Sequence, residues 1–205
     1  MSAPENTPES TGTAGTVPLF ATPFTAVNSG ADLGFNTRLA QLCESGLQGR
    51  HDLLESADAT AVELKRLILG QASAVVAGLC SIGVAEFGRL RVEARGWCSI
   101  VKRGEHVPAQ HFPGASWLTV YCVQAGEPDA GITSAGVLRL YERRLGSIYR
   151  DASTAELKPP FRFGNHTWKP VPGWMALFPA HVPHEVSVVR SDTALILVFA
   201  LLRFG

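Results

Sequence analysis

The chain has 205 residues, 46% of them hydrophobic, which is enough to fill one core and, with no internal linker, predicts one domain. Its 18 basic and 18 acidic residues cancel, so no global field draws it to nucleic acid, anionic lipid or acidic polymers. Cys43, Cys80, Cys98 and Cys122 lack the close pairing of a zinc site and read as reduced thiols, and the absence of a leader pattern or an apolar run of about 18 residues predicts a soluble, intracellular (cytoplasmic) protein with no membrane partner.

Residues 1–16 are rich in Ser, Thr, Pro, Gly and Glu and predict a disordered tail, leaving 17–205 as the folded domain. Val17 to Phe24, interrupted by Pro18 and Pro23, reads as an edge strand, since proline cannot donate to a ladder. Leu33, Leu39, Leu42 and Cys43 keep helical spacing, with Asn36 as a cap and Gly46 as a stop. A second helix begins at the capping-box pair Thr60 and Glu63 and carries the apolar stripe Leu64, Leu67, Ile68, Ala72, Val75, Val76 and Leu79.

From about Leu90 the pattern changes to short β-branched and aromatic runs: Arg91–Val101, Ser116–Gln124, Gly136–Glu142, Gly173–Phe178, His184–Val189 and Ala194–Phe204. The last is continuously apolar yet too short to span a bilayer, so it reads as a strand covered on both faces. Helices first and strands afterwards predict an α+β protein with helices packed on antiparallel sheets.

Four of the six histidines fall in two short segments, His106 and His111 in one, His181 and His184 in the other. Each segment adjoins a predicted strand, so the two can meet at one mouth of a barrel. Non-haem iron is commonly held by two imidazoles and a carboxylate on one face. The plain alternative for any one of them is a loop histidine bonded to backbone or water. Arg139, Arg143, Arg144 and Arg150 form a basic strip or, more simply, a solvated exterior. The four tryptophans read as core or rim packing.

Several segments, in order, resemble the family of 2-oxoglutarate/Fe(II) oxygenases. Gln110-His-Phe-Pro-Gly-Ala-Ser-Trp-Leu-Thr-Val-Tyr-Cys-Val123 is similar to the family's H-x-H-P-G…S-G-V-Y-Y-V strand. Gly136-Val-Leu-Arg-Leu-Tyr-Glu-Arg-Arg144 is similar to its G-x-L-x-F-x-D-P-R, and Pro172-Gly-Trp-Met-Ala-Leu-Phe-Pro179 to its P-x-x-G-x-L-V-L-F-P. Pro18-Leu-Phe-Ala-Thr-Pro23 is similar to its opening L-F-x-T-P. The resemblance implies a double-stranded β-helix (jelly-roll) core with the N-terminal helices packed on it. It also implies Fe(II) and 2-oxoglutarate as cofactors, and hydroxylation of a small molecule or a protein side chain.

The resemblance places a metal histidine at His184 and the two other metal positions at Gln110 and Phe112, with His111 between them. A bulge would turn His111 inward. Tyr121 is retained as a co-substrate contact, whereas Leu118, Thr119 and Cys122 replace the family's Ser, Gly and second Tyr. The arginine expected to hold the distal carboxylate falls near Ala194, beside Thr193, with Arg190 the nearest basic residue. The expected metal set is therefore His184, His111 and Gln110, and the expected cofactor contacts are Tyr121 and Arg190.

Three functions follow: an iron- and 2-oxoglutarate-dependent dioxygenase, a catalytically silent jelly-roll binding module, and a cupin-like metalloenzyme. The last would use His181 and His184 with His111 or His106, and Glu105 or Glu185. The substrate loops, about 126–136 and 147–166, carry no recognisable code. A homodimer is compatible with the sequence and not required by it.

Overall fold

A computed structural model describes residues 21–47, 52–126, 134–142, 151, 157 and 164–205, and among these it has nine strands and a helical layer. The predicted tail and most of the substrate loops lie outside those residues, as does most of the predicted strand at 17–24, whose described part, 21–24, is not strand: the first strand comes just after Pro23, at Thr25–Asn28, beyond the residue that cannot donate to a ladder. The strands are β1 Thr25–Asn28, β2 Val92–Val101, β3 Val107–Gln110, β4 Trp117–Gln124, β5 Leu138–Leu140, β6 His166–Trp168, β7 Trp174–Pro179, β8 His184–Val186 and β9 Leu195–Phe204. They form a five-stranded sheet, β1-β7-β4-β9-β2, and a four-stranded sheet, β3-β8-β5-β6. The ladders are antiparallel and cross between sequence-distant strands, giving the α+β jelly roll that the sequence predicts.

In the larger sheet β9 runs between β2 and the central strand, β4. Side chains alternate across a strand. Leu195, Leu197 and Phe199 therefore enter the space between the sheets with Val120, Cys122, Ala176, Phe178, Leu138 and Val186. Ile196, Val198, Ala200 and Leu202 point the other way, into the core beneath the helices with Tyr121, Met175 and Leu177. Both faces of β9 are covered, which accounts for its unbroken apolar run.

The helical layer is α1 Leu33–Leu42, continued by a π-helical turn at Cys43–Leu47, then a short 3-10 turn at Leu53–Glu55, α2 Ala59–Leu79 and α3 Val84–Phe87. Both long helices start earlier than their apolar pattern predicts. α1 is capped by Asp32, whose Oδ1 accepts the Phe35 N–H at 2.6 Å. Asn36 lies inside the helix and is buried. α2 is capped by Asp58, which accepts from the Thr60 and Ala61 N–H groups at 2.8 and 3.3 Å. A carboxylate ahead of the first turn satisfies orphan donors and complements the helix dipole, so Asp58 and not the Thr60/Glu63 pair sets the start. The stripe packs through Ala61, Leu64, Ile68, Ala72 and Val76, while Leu79 at the end is 52% exposed. None of the described helices is long and apolar enough to cross a membrane.

Candidate functional site

One row of side chains crosses the inner face of the smaller sheet at its open end. Gln110 is in register with His184, His184 with Leu140, and Leu140 with His166. The next residue on β8, Glu185, consequently faces out and meets Arg139 at 2.7 Å, so Arg139 ties two strands together. Arg143, Arg144 and Arg150, its companions in the predicted basic strip, lie outside the described residues.

His184 is wholly buried. Its ring sits 5.3 Å from Phe178, 5.9 Å from Phe112 and 6.5 Å from Phe199, centroid to centroid. Nδ1 lies 2.9 Å from the Val182 carbonyl. A carbonyl only accepts, so Nδ1 carries the proton and Nε2 the lone pair. Nε2 is buried without a hydrogen-bond partner. Burial pushes the imidazole below its ordinary pKa, outweighing the Val182 contact, and the charge of His111 adds to the depression. The site thus contains a neutral imidazole with an unused acceptor among aromatic rings.

The other positions that the resemblance assigns to iron do not complete a centre. β3 ends at Gln110, after an irregularity in its pairing with β8 between Val107 and Gln110. Gln110 offers only a neutral amide, and Phe112 offers no donor. The Phe112 N–H donates to the Ala180 carbonyl at 2.8 Å, which fixes that segment against the other side of the mouth. His111 is exposed at the rim. The alternative carboxylates are engaged elsewhere: Glu105 accepts the Lys102 N–H at 2.9 Å and Glu185 pairs with Arg139. Among the described residues no three His, Cys, Asp or Glu side chains converge on a metal position. A facial triad of two imidazoles and a carboxylate therefore does not fit these residues.

Behind His184 the space between the sheets is apolar: Leu138, Val186, Val189, Leu195, Leu197, Val120 and Cys122 pack there, each no more than 3% exposed. The phase of β4 turns Cys122 inward, where burial pushes its thiol up to about 12. Tyr121 points into the helical side of the sheet and donates to Asn36 Oδ1 at 2.6 Å. The inward phase of β9 runs back to Thr193, beside Ala194, and neither bears a charge. Arg190 stands exposed on the connection ahead of β9.

Two cavities flank this row. One, of about 330 Å³, is lined by Phe24, Leu140, Tyr141, His166, His181 and Val182 among others. The other, of about 450 Å³, lies on the far side of Phe112 and is bordered by Arg95, His111, Leu201 and Arg203. Sequence reasoning missed His166 and Arg95 as mouth residues. The three-residue β6 carries no alternation by itself, and Arg95 is distinguished only by its phase on β2.

No family model and no curated protein matches the chain. Solved structures do. A prolyl-4-hydroxylase from Pseudomonas putida superposes with a TM-score of 0.57 at 15% identity, over 88% of this chain and 84% of that one. HygX from Streptomyces hygroscopicus, with iron bound, gives 0.58 at 10% identity over 89% and 83%. EvdO2 from Micromonospora carbonacea var. aurantiaca, complexed with 2-oxoglutarate, gives 0.51 at 10% identity over 90% and 87%. The chain has the jelly-roll fold of the 2-oxoglutarate/Fe(II) oxygenases.

Proposed function

We propose that this protein is a binding module on an oxygenase fold, one that keeps the barrel and a single buried imidazole and carries out no iron- and 2-oxoglutarate-dependent oxidation. The observation that carries this reading is Phe112. It stands where the resemblance expects a metal ligand, packs its ring 5.9 Å from His184, and is itself seated 5.4 Å from Trp97. An aromatic ring there supplies dispersion and excludes water but donates no electron pair to a metal. The apolar filling behind it and the uncharged Thr193 and Ala194 support the same conclusion for 2-oxoglutarate, whose carboxylate would lose a charged partner worth roughly 2–5 kcal/mol.

A second reading, an iron oxygenase with the unusual set His184, His111 and Gln110, and with Tyr121 and Arg190 toward the co-substrate, is favoured by one observation. The Nε2 lone pair of His184 is buried with nothing to accept. For that reading Phe112 would have to leave the mouth and Tyr121 its bond to Asn36. The two are separated by equilibrium dialysis against micromolar Fe(II), followed by assay of succinate and carbon dioxide from 2-oxoglutarate. The binding-module reading expects no retained iron and no turnover. Stoichiometric iron with turnover lost in His184→Ala would overturn it.

A further inference from the structure

At the open end of the barrel the inward phase of β2 and β9 changes character. Deeper positions are Trp97, Val101, Leu197 and Phe199, whereas the last ones are Glu93, Arg95 and Arg203. With His111, Phe112 and Leu201 these border the cavity of about 450 Å³. Glu93 is the register partner of Arg203, yet the two form no ion pair. The Arg203 Nε instead donates to the Gly114 carbonyl at 2.6 Å, which holds the guanidinium over the mouth. The Arg95 guanidinium has no hydrogen-bond or ion-pair partner among the described residues. Beneath both lies an aromatic floor, Phe112 against Trp97 and Trp97 stacked on Phe199, each at 5.4 Å.

We infer that this cavity is a binding site for a small monocarboxylate with an apolar or aromatic body. The carboxylate docks on the unpaired Arg95, whose planar fork matches its two oxygens, and the body lies on Phe112 and Leu201. The cavity's two guanidinium groups outnumber its single carboxylate, Glu93, by one, which suits a monoanion. A dicarboxylate would set its second charge against Glu93. The inference deepens the binding-module reading and rests on it, but the site lies in front of Phe112, away from the chamber behind His184.

The test is isothermal titration of the full-length, chelator-treated protein with phenylacetate, hexanoate, the neutral phenylacetamide and 2-oxoglutarate. Phenylacetate and hexanoate are expected to bind saturably, and phenylacetamide and 2-oxoglutarate at least tenfold more weakly. Arg95→Gln should weaken phenylacetate at least tenfold, Arg95→Lys should restore part of the affinity, and Arg66→Gln on the exposed face of α2 should change nothing. Binding of the amide as tightly as the acid, indifference to Arg95→Gln, or no binding at millimolar ligand would each overturn the inference. So would a carboxylate response that appears only with Fe(II) or follows His184→Gln, since that would move the anion to the His184 side. Failure of the underlying reading shows separately, as turnover of 2-oxoglutarate.

Discussion

A buried imidazole acceptor with nothing to accept from costs roughly 1–3 kcal/mol, and His184 carries one at Nε2. Burial also lowers its pKa from the ordinary 6.5, so as pH falls the unfolded chain takes up the proton first. Its contribution to stability is therefore complete above about 6.5 and is lost as pH drops from there toward the folded value. Burial of His166 acts in the same direction. Replacing His184 by Leu removes the orphan acceptor and the titration together, but also the Nδ1 bond to Val182. The net change at pH 7 should stay within about 1.5 kcal/mol, and urea midpoints between pH 7 and 5 should fall less steeply than in the wild type. An unchanged slope would show that other groups set it. The same row gives a constructive test: Gln110→His with Phe112→Asp restores two donors beside His184. Dialysis should then show iron retained, while 2-oxoglutarate still fails to bind because Leu138, Val186 and Leu197 remain in the chamber.

The helical layer meets the larger sheet at Gly96. A Cβ there would fall 2.7 Å from Leu54 Cγ and 3.1 Å from the Phe199 carbonyl oxygen, and Asp52 bridges to Gly96 from the segment that carries Leu54. Gly96→Ala should therefore push that segment off β2 and cost about 1–3 kcal/mol, read as a lowered urea midpoint. Asp58→Ala should cost about 1 kcal/mol through the lost cap of α2, whereas Thr60→Ala should cost much less if Asp58 is the residue that sets the start. What the sequence disclosed at this scale follows length and period. β9 and α2 were legible because one has an unbroken apolar run and the other a long stripe. β3 and β6 were not, because segments of four and three residues, the first containing Pro108, show no alternation of their own. They exist because β8 and β5 lend them a ladder.

Across the whole molecule, the fold was more legible than the site. Apolar patterning and punctuation report burial directly, so the longer strands and the helical layer could be read in advance, whereas their order within the two sheets could not. The site depends on phase and on contacts between distant residues. His184 and Gln110 lie in segments that the sequence singled out, but the pairing irregularity that sets them opposite each other and leaves His111 at the rim is a property of two strands together. Likewise the choice between Tyr121 and Cys122 as the inward residue is made by β7 and β9 on either side of β4. The result is a barrel whose mouth carries Gln110, Arg95 and Arg203 and whose interior is apolar.

The most direct test of this account is an anaerobic titration of the chelator-treated wild-type chain with Fe(II) in the presence of 2-oxoglutarate, following the visible charge-transfer absorption of the ternary complex. The account predicts no band, because Phe112 and the apolar space behind His184 leave neither the metal nor the oxo acid a complete set of partners. A band saturating at one iron per chain and abolished by His184→Ala would contradict it and establish an oxygenase centre with unusual ligands.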